Sequence, residues 1–464
     1  MKSGLTPISV GLMALLLCAP LSAKVAKDQA DRLLQPNGDL TPLGAEKAAN
    51  KDGTIPAWNG GYTQPPPDWK GPGAHIVDPF PQDKPLFTIT PANLEQYKDK
   101  LSPGQLELFK HNPKDYKMNI FQTRRTAGAP KFVYEATYKN AMTAELGGNG
   151  EALVNAVTGI PFPIPQSGQE VIWNHKTRYH GQSIRHWNVQ AAVTQSGSYN
   201  VSKLREDINL NYSRKGIKPA DLQNVIVYFL QIVTAPPRLA GTITLVHETM
   251  DQIAEPRRAW QYNPGQRRLR RAPQVGYDNP GTASDGLRTN DQYDGFNGAM
   301  DRYTWKLVGK KEMYVPYNDY RLHSDKAKYK DILKPGHINQ DLCRYELHRV
   351  WIVESQLKPG TSHIYKRRTF YVDEDSWSIL VADVYDKRDQ MWRVQESHTV
   401  AVYDPGDLTK EAAGTLGEIM LAIYDLNSGR YLAMQMSNEE PEAKEMFFPP
   451  SYFDPANVKK ESDR

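Results

Sequence analysis

The sequence predicts a mainly β protein of the α+β class, built on one large antiparallel sheet with several short helices. Between residues 343 and 403, segments rich in aromatic and β-branched residues are separated by turn residues. A period of two along such segments is typical of strands, and connections this short force neighbouring strands to be antiparallel. Charged and apolar residues alternate in them, so we expect one wet face and one covered face.

The composition is that of a globular chain with a core. Of its 464 residues, 39% are hydrophobic and 24% are charged, which are ordinary values for a soluble protein. The formal net charge of +4 is too small to indicate a nucleic acid as partner.

Residues 1–23 have the pattern of a targeting segment. Lys2 supplies a positive end, Leu5–Leu21 is apolar, and Ala23 is a small residue suited to cleavage. A membrane anchor is one alternative, but the apolar run is short and broken by prolines. A lipoprotein modified at Cys18 is the other, but Leu17 stands where a small residue is expected. We therefore predict a secretory signal that is removed before Lys24.

Removal of that segment would leave Cys343 as the one cysteine of the mature chain. The sequence then predicts no internal disulfide and no cysteine-rich metal site. We expect Cys343 to be a small, buried apolar residue.

Residues 24–119 are predicted to form a helical and proline-rich N-terminal arm. Nine prolines lie between Pro56 and Pro91, a composition that cannot form the interior of a sheet. We expect this segment to lie extended over another surface, ordered by Trp58, Tyr62 and Trp69; free disorder is the alternative. Helices are predicted beside it at residues 25–34, 42–49, 92–98 and 103–110, the last with a capping box of Ser102 and Gln105.

Residues 120–440 are predicted to form the antiparallel domain, and residues 441–464 a C-terminal tail. Strands are expected at 120–126 and 131–138, followed by a helix at 168–179 that begins with a second capping box. From Ser183 onward the chain is almost entirely strand-like. Val225–Val233 is apolar at both its odd- and its even-numbered positions, which predicts a central strand covered on both faces.

The segment Arg257–Arg271 is predicted to be a hairpin whose turn, Asn263-Pro-Gly265, has proline and glycine placed for a type II turn. Six arginines flank its aromatic and aliphatic residues. One interpretation is a strand end whose arginines pair with nearby acids, namely Glu248, Asp251 or Glu255. The other is the mouth of a cavity, apolar within and cationic at the rim, which suits an amphiphile with an acidic head group.

The sequence contains none of the common catalytic or nucleotide-binding motifs. We therefore predict no catalytic residue, no cofactor and no metal site. The histidines are scattered, and His348 and His398 are interpreted as structural or solvated. The three acids Asp373–Asp375 are expected to face solvent in a hairpin turn rather than to bind calcium.

Five segments carry a family resemblance: Thr41–Glu46, Gly53–Gly60, Gly159–Ile164, Glu170–His175 and Trp260–Gly265. In this order they resemble the motifs of the proteobacterial exported family called domain of unknown function 1329. That resemblance implies an open half-barrel of the LolA/LolB type, similar to outer-membrane lipoprotein-sorting proteins, curved around helices packed on or in its concave face, with an apolar cavity. It also implies a periplasmic setting and no catalysis. The implied partners are a resistance-nodulation-division type transporter and an outer-membrane barrel protein.

Together these observations predict a cavity for a lipid or acyl chain. Its predicted lining comes from the central strand, the 168–179 helix and the arginine-rich hairpin: Val225, Val227, Phe229, Ile172, Trp173, Trp260, Tyr262 and Leu269, with Arg268 and Arg270 near the rim. A filled core without a cavity is the alternative. The predicted function is a periplasmic carrier for a lipid, a lipoprotein or another hydrophobic ligand in outer-membrane or envelope transport. The alternative is a structural accessory subunit of an envelope transporter that binds no lipid.

Overall fold

A computed structural model describes residues 24–71, 73–272, 276–402 and 414–462; the predicted signal segment, with Cys18 and the cleavage position, lies outside them. The strands are β1 (Phe87–Ile89), β2 (Met118–Ile120), β3 (Glu145–Gly147), β4 (Ala152–Val154), β5 (Ser183–Val193), β6 (Tyr199–Asn209), β7 (Val225–Ala235), β8 (Ile243–Thr249), β9 (Arg258–Asn263), β10 (Arg268–Arg271), β11 (Tyr303–Pro316), β12 (Tyr345–Leu357), β13 (Arg367–Asp373), β14 (Ile379–Tyr385), β15 (Met391–Val402), β16 (Thr415–Asp425), β17 (Arg430–Met436) and β18 (Lys444–Glu445).

Sixteen of these strands form one sheet, in the order β1-β2-β12-β13-β14-β15-β16-β17-β5-β6-β7-β8-β9-β10, while β11 pairs with β12 and β18 with β5. The pairing is antiparallel except where β2 meets β12 at Ile120 and Tyr345. Within the described residues the end strands β1 and β10 do not pair with each other, so the sheet is open. The predicted large, open antiparallel sheet is confirmed.

The helices are short: α1 (Lys27–Ala30), α2 (Pro103–His111), α3 (Lys131–Thr143), α4 (Gly168–Thr177), α5 (Tyr320–His323), α6 (Tyr329–Ile332) and α7 (Val458–Ser462). The predictions of α2 and α4 are confirmed, because both begin at the serine caps read from the sequence. Ser102 accepts a hydrogen bond from the Gln105 N–H at 3.0 Å. Ser167 accepts one from the Glu170 N–H at 3.3 Å.

Two predicted helices are absent from the described chain. Residues 42–49 form turns, because Thr41 Oγ1 accepts the Ala45 N–H at 3.1 Å and Gly44 has φ 103°, outside the helical region. In place of a helix at 92–98, there are two 3-10 turns, Leu94–Gln96 and Lys98–Lys100. The helix predicted at 25–34 is present as α1 followed by a 3-10 turn at Asp31–Leu33.

The strand predicted at 131–138 is wrong, since that segment begins α3. The buried residues Val133, Thr137, Asn140 and Ala141 follow a helical period that emerges only over the full thirteen residues. The strand predicted at 120–126 ends at Ile120. Beyond it the backbone makes isolated hydrogen bonds instead of a ladder: the Phe121 N–H donates to the Tyr345 carbonyl at 2.9 Å, and the Arg124 N–H donates to the Glu346 carboxylate at 2.7 Å.

The proline-rich segment packs on the sheet. Tyr62, Trp69, Ile76 and Phe80 are partly buried against a core cluster that includes strand residues of β12 and β16. The limits of the arm, of the 120–440 domain and of the tail stay predictions. The sheet itself continues past both limits, because β1 lies before residue 120 and β18 after residue 440.

The acidic turn Asp373–Asp375 is buried, contrary to expectation. Arg125 holds Asp375 through two hydrogen bonds of 2.9 and 2.7 Å, and Arg349 and Lys310 pair with Glu374. The expectation failed because Arg125 lies 250 positions away in the sequence. Cys343 is buried as predicted, and burial raises the pKa of its thiol.

The arginine-rich hairpin is confirmed as β9 and β10, with Tyr262 opposite Leu269. Its turn is not of type II, because Arg267 rather than Gly265 has a positive φ, 50°. No helix among the described residues is both long and apolar enough to cross a bilayer.

Candidate functional site

A cavity of about 650 Å³ lies against one face of the sheet. Strands β5, β6, β7, β8 and β16 contribute to its wall, and β16 and β8 are five strand positions apart in the sheet. On a flat sheet they would be about 24 Å apart, at about 4.8 Å per strand. A cavity of this size contacts both strands because the sheet curves around it.

The rest of the wall comes from distant parts of the chain. The arm contributes Trp69 and Ile76, the end of α4 contributes Lys176, and the irregular segment 276–302 contributes Phe296. The C-terminal segment contributes residues 442–445, which include β18. The cavity is thus closed by the arm and the C-terminal segment across the curved sheet.

The apolar lining follows from strand alternation. In β7, Val227, Phe229 and Gln231 face the cavity, while the intervening Tyr228 and Leu230 belong to a core cluster on the opposite face. The neighbouring β8 continues this face with Thr244, Val246 and Glu248. Other apolar lining residues are Trp187, Ile208, Leu210, Ile226, Phe296 and Ile419.

Lys176 and Arg288 are the two cations of the wall that are at least partly buried and form no ion pair with any described carboxylate; Lys444, also in the wall, is exposed. Lys176 donates from Nζ to the Gly298 carbonyl at 3.0 Å and lies 4.5 Å from the ring centroid of Trp173. Burial lowers the pKa of Lys176 to about 8. Arg288 is 4% exposed, donates to the Thr289 carbonyl at 3.2 Å, and has an Nε without a hydrogen-bond acceptor.

Several carboxyl groups of the wall are, in contrast, compensated. Glu248 pairs with Arg257 at 2.5 Å, and Asp294 pairs with Arg178. Burial, and after it the charge of Asp294, raises the pKa of Glu418 to about 8, so Glu418 is mostly protonated at pH 7. The unbalanced charge of the wall is therefore positive, which favours an anionic group in the ligand.

A third polar feature is a cluster of His75, His323 and Glu442, of which His323 and Glu442 line the cavity. His75 Nδ1 lies 2.7 Å from Glu442 Oε2, and His323 Nε2 lies 3.6 Å from Glu442 Oε1. Burial works against the charged form of Glu442, yet the two histidines lower the pKa of its carboxyl to about 2.

Two further clusters have ligand-type side chains but lie deep in the core. His348, Asp373 and Asp375 form one, and Asp319, Cys343 and His398 form the other. In both, ion pairs and hydrogen bonds occupy the histidine: His348 contacts Glu346 at 3.1 Å, and His398 contacts Asp319 at 3.0 Å. The structural interpretation of these two histidines agrees with this geometry.

The predicted site residues separate into four groups. Val227 and Phe229 line the cavity. Ile172 and Trp173 are fully buried in a core cluster behind it, where the Trp173 indole donates to the Gly150 carbonyl at 3.0 Å.

The third group lies on the other face of the sheet. Val225, Trp260, Tyr262 and Leu269 pack in the cluster that the C-terminal Phe453 covers. For the hairpin the register explains this, because Trp260 is opposite Leu245 and not opposite a cavity-facing residue of β8. For Val225 the cause is the irregularity in the β7–β8 register between Val225 and Val227, which breaks the alternation that would have put it on the cavity side. These four are therefore misplaced in the predicted lining.

Arg268 and Arg270 are exposed in the edge strand β10 and do not line the cavity. Their register partners, Asn263 and Gln261, place them on the cavity side of the sheet, beyond the wall. Sequence reasoning missed Lys176 and Arg288. Lys176 could have been found at the end of the predicted helix, but Arg288 lies in a segment without any periodic pattern.

The family model described as "Protein of unknown function (DUF1329)" matches residues 88–459. An uncharacterized protein of Pseudomonas aeruginosa is 50% identical over 467 residues, which cover 100% of both chains. A crystal structure of a DUF1329 family protein from Desulfovibrio piger is 15% identical, covers 63% of this chain and 97% of its own, and has a TM-score of 0.43. A putative outer membrane lipoprotein-sorting protein domain from Vibrio parahaemolyticus is 13% identical, covers 63% and 98%, and has a TM-score of 0.42. At these identities and scores, neither solved structure assigns a ligand to this chain.

Proposed function

We propose that this chain, which belongs to the DUF1329 family, is a periplasmic carrier for a lipid or another hydrophobic ligand with an acidic head group, acting in envelope transport. The observation that supports it is the cavity of about 650 Å³ with an apolar wall and two cations that lack carboxylate partners. Pockets for small ligands typically have about 300–1,000 Å³. In this role the protein binds and releases its ligand without changing it chemically.

The apolar wall would supply most of the affinity. Burying a methylene group is worth about 0.8 kcal/mol, and association costs several kcal/mol. An acyl chain of about fifteen methylenes would contribute about 12 kcal/mol, so about 8 kcal/mol, the value for micromolar binding, would remain after an association cost of about 4 kcal/mol. Val227, Phe229 and Val246 are the side chains of the wall that such a chain would contact.

The two cations would select the head group. A hydrogen bond to a charged group contributes about 1.5–3 kcal/mol, and Lys176 and Arg288 each have donors that no carboxylate occupies. A carboxylate or phosphate at this end of the ligand would be favoured over a neutral hydroxyl. The predicted preference for an acidic amphiphile is thus kept, and Lys176 and Arg288 take the role that was predicted for Arg268 and Arg270.

The test combines native mass spectrometry of protein purified from its own host with titration of a fluorescent fatty acid and the alcohol of equal length. We expect co-purified lipid, micromolar binding of the acid, and weaker binding of the alcohol. Val227→Trp should narrow the apolar part of the cavity and weaken binding of both probes. Val308→Trp is the matched control, because Val308 is 52% exposed on β11 and does not line the cavity.

Separate variants test whether Lys176 recognises the acidic head group. Lys176→Met should weaken binding of the acid by roughly 10- to 150-fold, as expected for 1.5–3 kcal/mol, and should change binding of the alcohol much less. Arg268→Ala/Arg270→Ala should leave both affinities unchanged. If wild-type protein binds neither probe and carries no lipid, the carrier proposal fails and an accessory subunit that binds protein is the better account.

For transport, a carrier needs a donor and an acceptor. We propose a resistance-nodulation-division type transporter and an outer-membrane barrel protein for these roles, on the strength of the family resemblance. Crosslinking in intact cells with photoreactive residues placed along the exposed arm, for example at Lys70, would test this. Recovery of neither class of protein would remove this part of the proposal.

A further inference from the structure

The cluster of His75, His323 and Glu442 joins three parts of the chain at the cavity wall. His75 lies in the proline-rich arm, His323 ends α5, and Glu442 lies between β17 and β18. The nitrogen and oxygen atoms that could act as ligands lie within 4.8 Å of one another. The two imidazole rings stack, with their centroids 4.9 Å apart.

The orientation of His75 is set by its second ring nitrogen. Nε2 donates to the backbone carbonyl of His323 at 2.8 Å, so Nδ1 is the atom that points to Glu442. Histidines that bind metal ions commonly donate their other N–H to a backbone carbonyl or a carboxylate in this way, which fixes both the tautomer and the ring plane.

His323 is the second indication. Its side chain is 5% exposed, and neither ring nitrogen makes a hydrogen bond. Its contact with Glu442, at 3.6 Å, is longer than a hydrogen bond. A buried polar group without a partner is costly, and a cation between His323, Glu442 and His75 would satisfy it.

The distances fit one class of ion. In a tetrahedral zinc site the metal–ligand bonds are about 2.0–2.2 Å, so two ligand atoms are about 3.3 Å apart. His75 Nδ1 is 2.7 Å from Glu442 Oε2 and His323 Nε2 is 3.6 Å from Glu442 Oε1, on either side of that value, and all candidate ligand atoms lie within 4.8 Å of one another. Two histidines and one glutamate, with water in the fourth position, are an established ligand set for zinc, whereas calcium and magnesium prefer oxygen ligands alone.

We propose that His75, His323 and Glu442 bind a divalent transition-metal ion of the Zn²⁺ class, with water in the fourth position. The ion fastens the arm to α5 and to the C-terminal segment, all of which contribute to the cavity wall. This site is independent of the ligand in the cavity. An ion pair between a protonated His75 and Glu442, without metal, is the competing account of the same geometry.

Metal binding tests the two accounts. Purified protein is treated with a chelator and titrated with Zn²⁺ against a competing chelating dye, and Co²⁺ is used as a spectroscopic probe. We expect one equivalent of Zn²⁺ and the visible absorption of four-coordinate Co²⁺. Loss of an outer partner of a metal ligand typically costs about 10- to 100-fold in affinity, so Glu442→Gln, which removes a ligand, should cost more than about 100-fold.

Two additional variants make the outcome specific. His75→Gln should weaken Zn²⁺ binding in the same way and provides a second variant if Glu442→Gln does not fold. His111→Gln is the matched control, because His111 lies on α2, is 43% exposed and is not part of the cluster. Equal Zn²⁺ affinity in wild type and in both cluster variants would overturn the proposal, as would the absence of Zn²⁺ binding to wild type.

A second measurement reports on the arm. Trypsin cleavage after the exposed Lys70 should slow when Zn²⁺ is added to wild type and should not change in Glu442→Gln. Zn²⁺ binding that leaves this cleavage rate unchanged in wild type would show that the ion does not fasten the arm.

Discussion

The buried arginine Arg125 offers the sharpest test of how the N-terminal segment is attached. Its side chain is 2% exposed, and that of Asp375 is 4% exposed. The guanidinium bonds to both carboxylate oxygens of Asp375 and also donates to the backbone carbonyls of Glu46, Lys47 and Pro56. Removing one partner of a buried ion pair costs about 3–5 kcal/mol, because the other charge is left uncompensated.

We therefore expect Arg125→Met to lower the free energy of unfolding by about 3–5 kcal/mol. The double variant Arg125→Met/Asp375→Leu should lose less than the sum of the two single variants, since it leaves no charge of that pair unpaired. Urea denaturation measures both. Limited trypsin digestion should also show faster cleavage near Lys47 in Arg125→Met, because three carbonyls of this segment lose a donor.

The neighbouring arginine provides the control. Arg124 holds Asp83 with two bonds of 2.7 Å, but Arg124 is 33% exposed, and Asp83 keeps a second partner in Arg344 at 2.9 Å. Arg124→Met should cost about 1 kcal/mol or less. If Arg125→Met were no more destabilising than Arg124→Met, the reasoning from burial would be refuted.

Two further predictions concern α2. Ser102→Ala removes the N-cap and should lower the free energy of unfolding by about 1 kcal/mol; an equal loss in Ser196→Ala, an exposed turn residue, would contradict this. Burial raises the pKa of Asp383, which accepts a hydrogen bond from Ser102, from 3.8 to about 6. Between these two pKa values the folded protein keeps the proton on Asp383, whereas the unfolded chain releases it. The free energy of unfolding therefore falls as pH rises from about 4 to about 6. The total fall is about 3 kcal/mol, at about 1.4 kcal/mol per pH unit. Urea midpoints between pH 4 and 7 should show this fall in wild type but not in Asp383→Asn; parallel curves would contradict the assignment.

Local signals made much of the fold predictable. The serine caps of α2 and α4, and the period of two in β12 to β17, depend on residues that are close in sequence. The strand predicted over 131–138 was wrong because that prediction also depended on a short segment alone. Eight residues of α3 can match a period of two by chance. Only the burial of Asn140 and Ala141, further along the helix, shows the helical period.

The cavity lining was less predictable, because it depends on pairings that no local pattern contains. The alternation of β7 separates its residues into two faces, and two of the three predicted from it, Val227 and Phe229, are on the cavity side. The register of β8 with β9 decides which face of the hairpin lies on the cavity side. Trp260 pairs with Leu245, and therefore lies on the face away from the cavity. Arg288 and Glu442 reach the wall from segments without regular structure, so only the folded chain brings them there.

The same geometry indicates where a ligand would enter. Continuous antiparallel ladders join β5, β6, β7 and β8 along one side of the cavity. On the other side, β18 pairs with β5 over two residues, and the arm adds no strand to the wall. Opening the wall between the arm and β18 breaks fewer backbone hydrogen bonds than separating the long strands, so exchange is expected on this side. His75, His323 and Glu442 lie here, and an ion bound to them would therefore restrain the part of the wall that has to move.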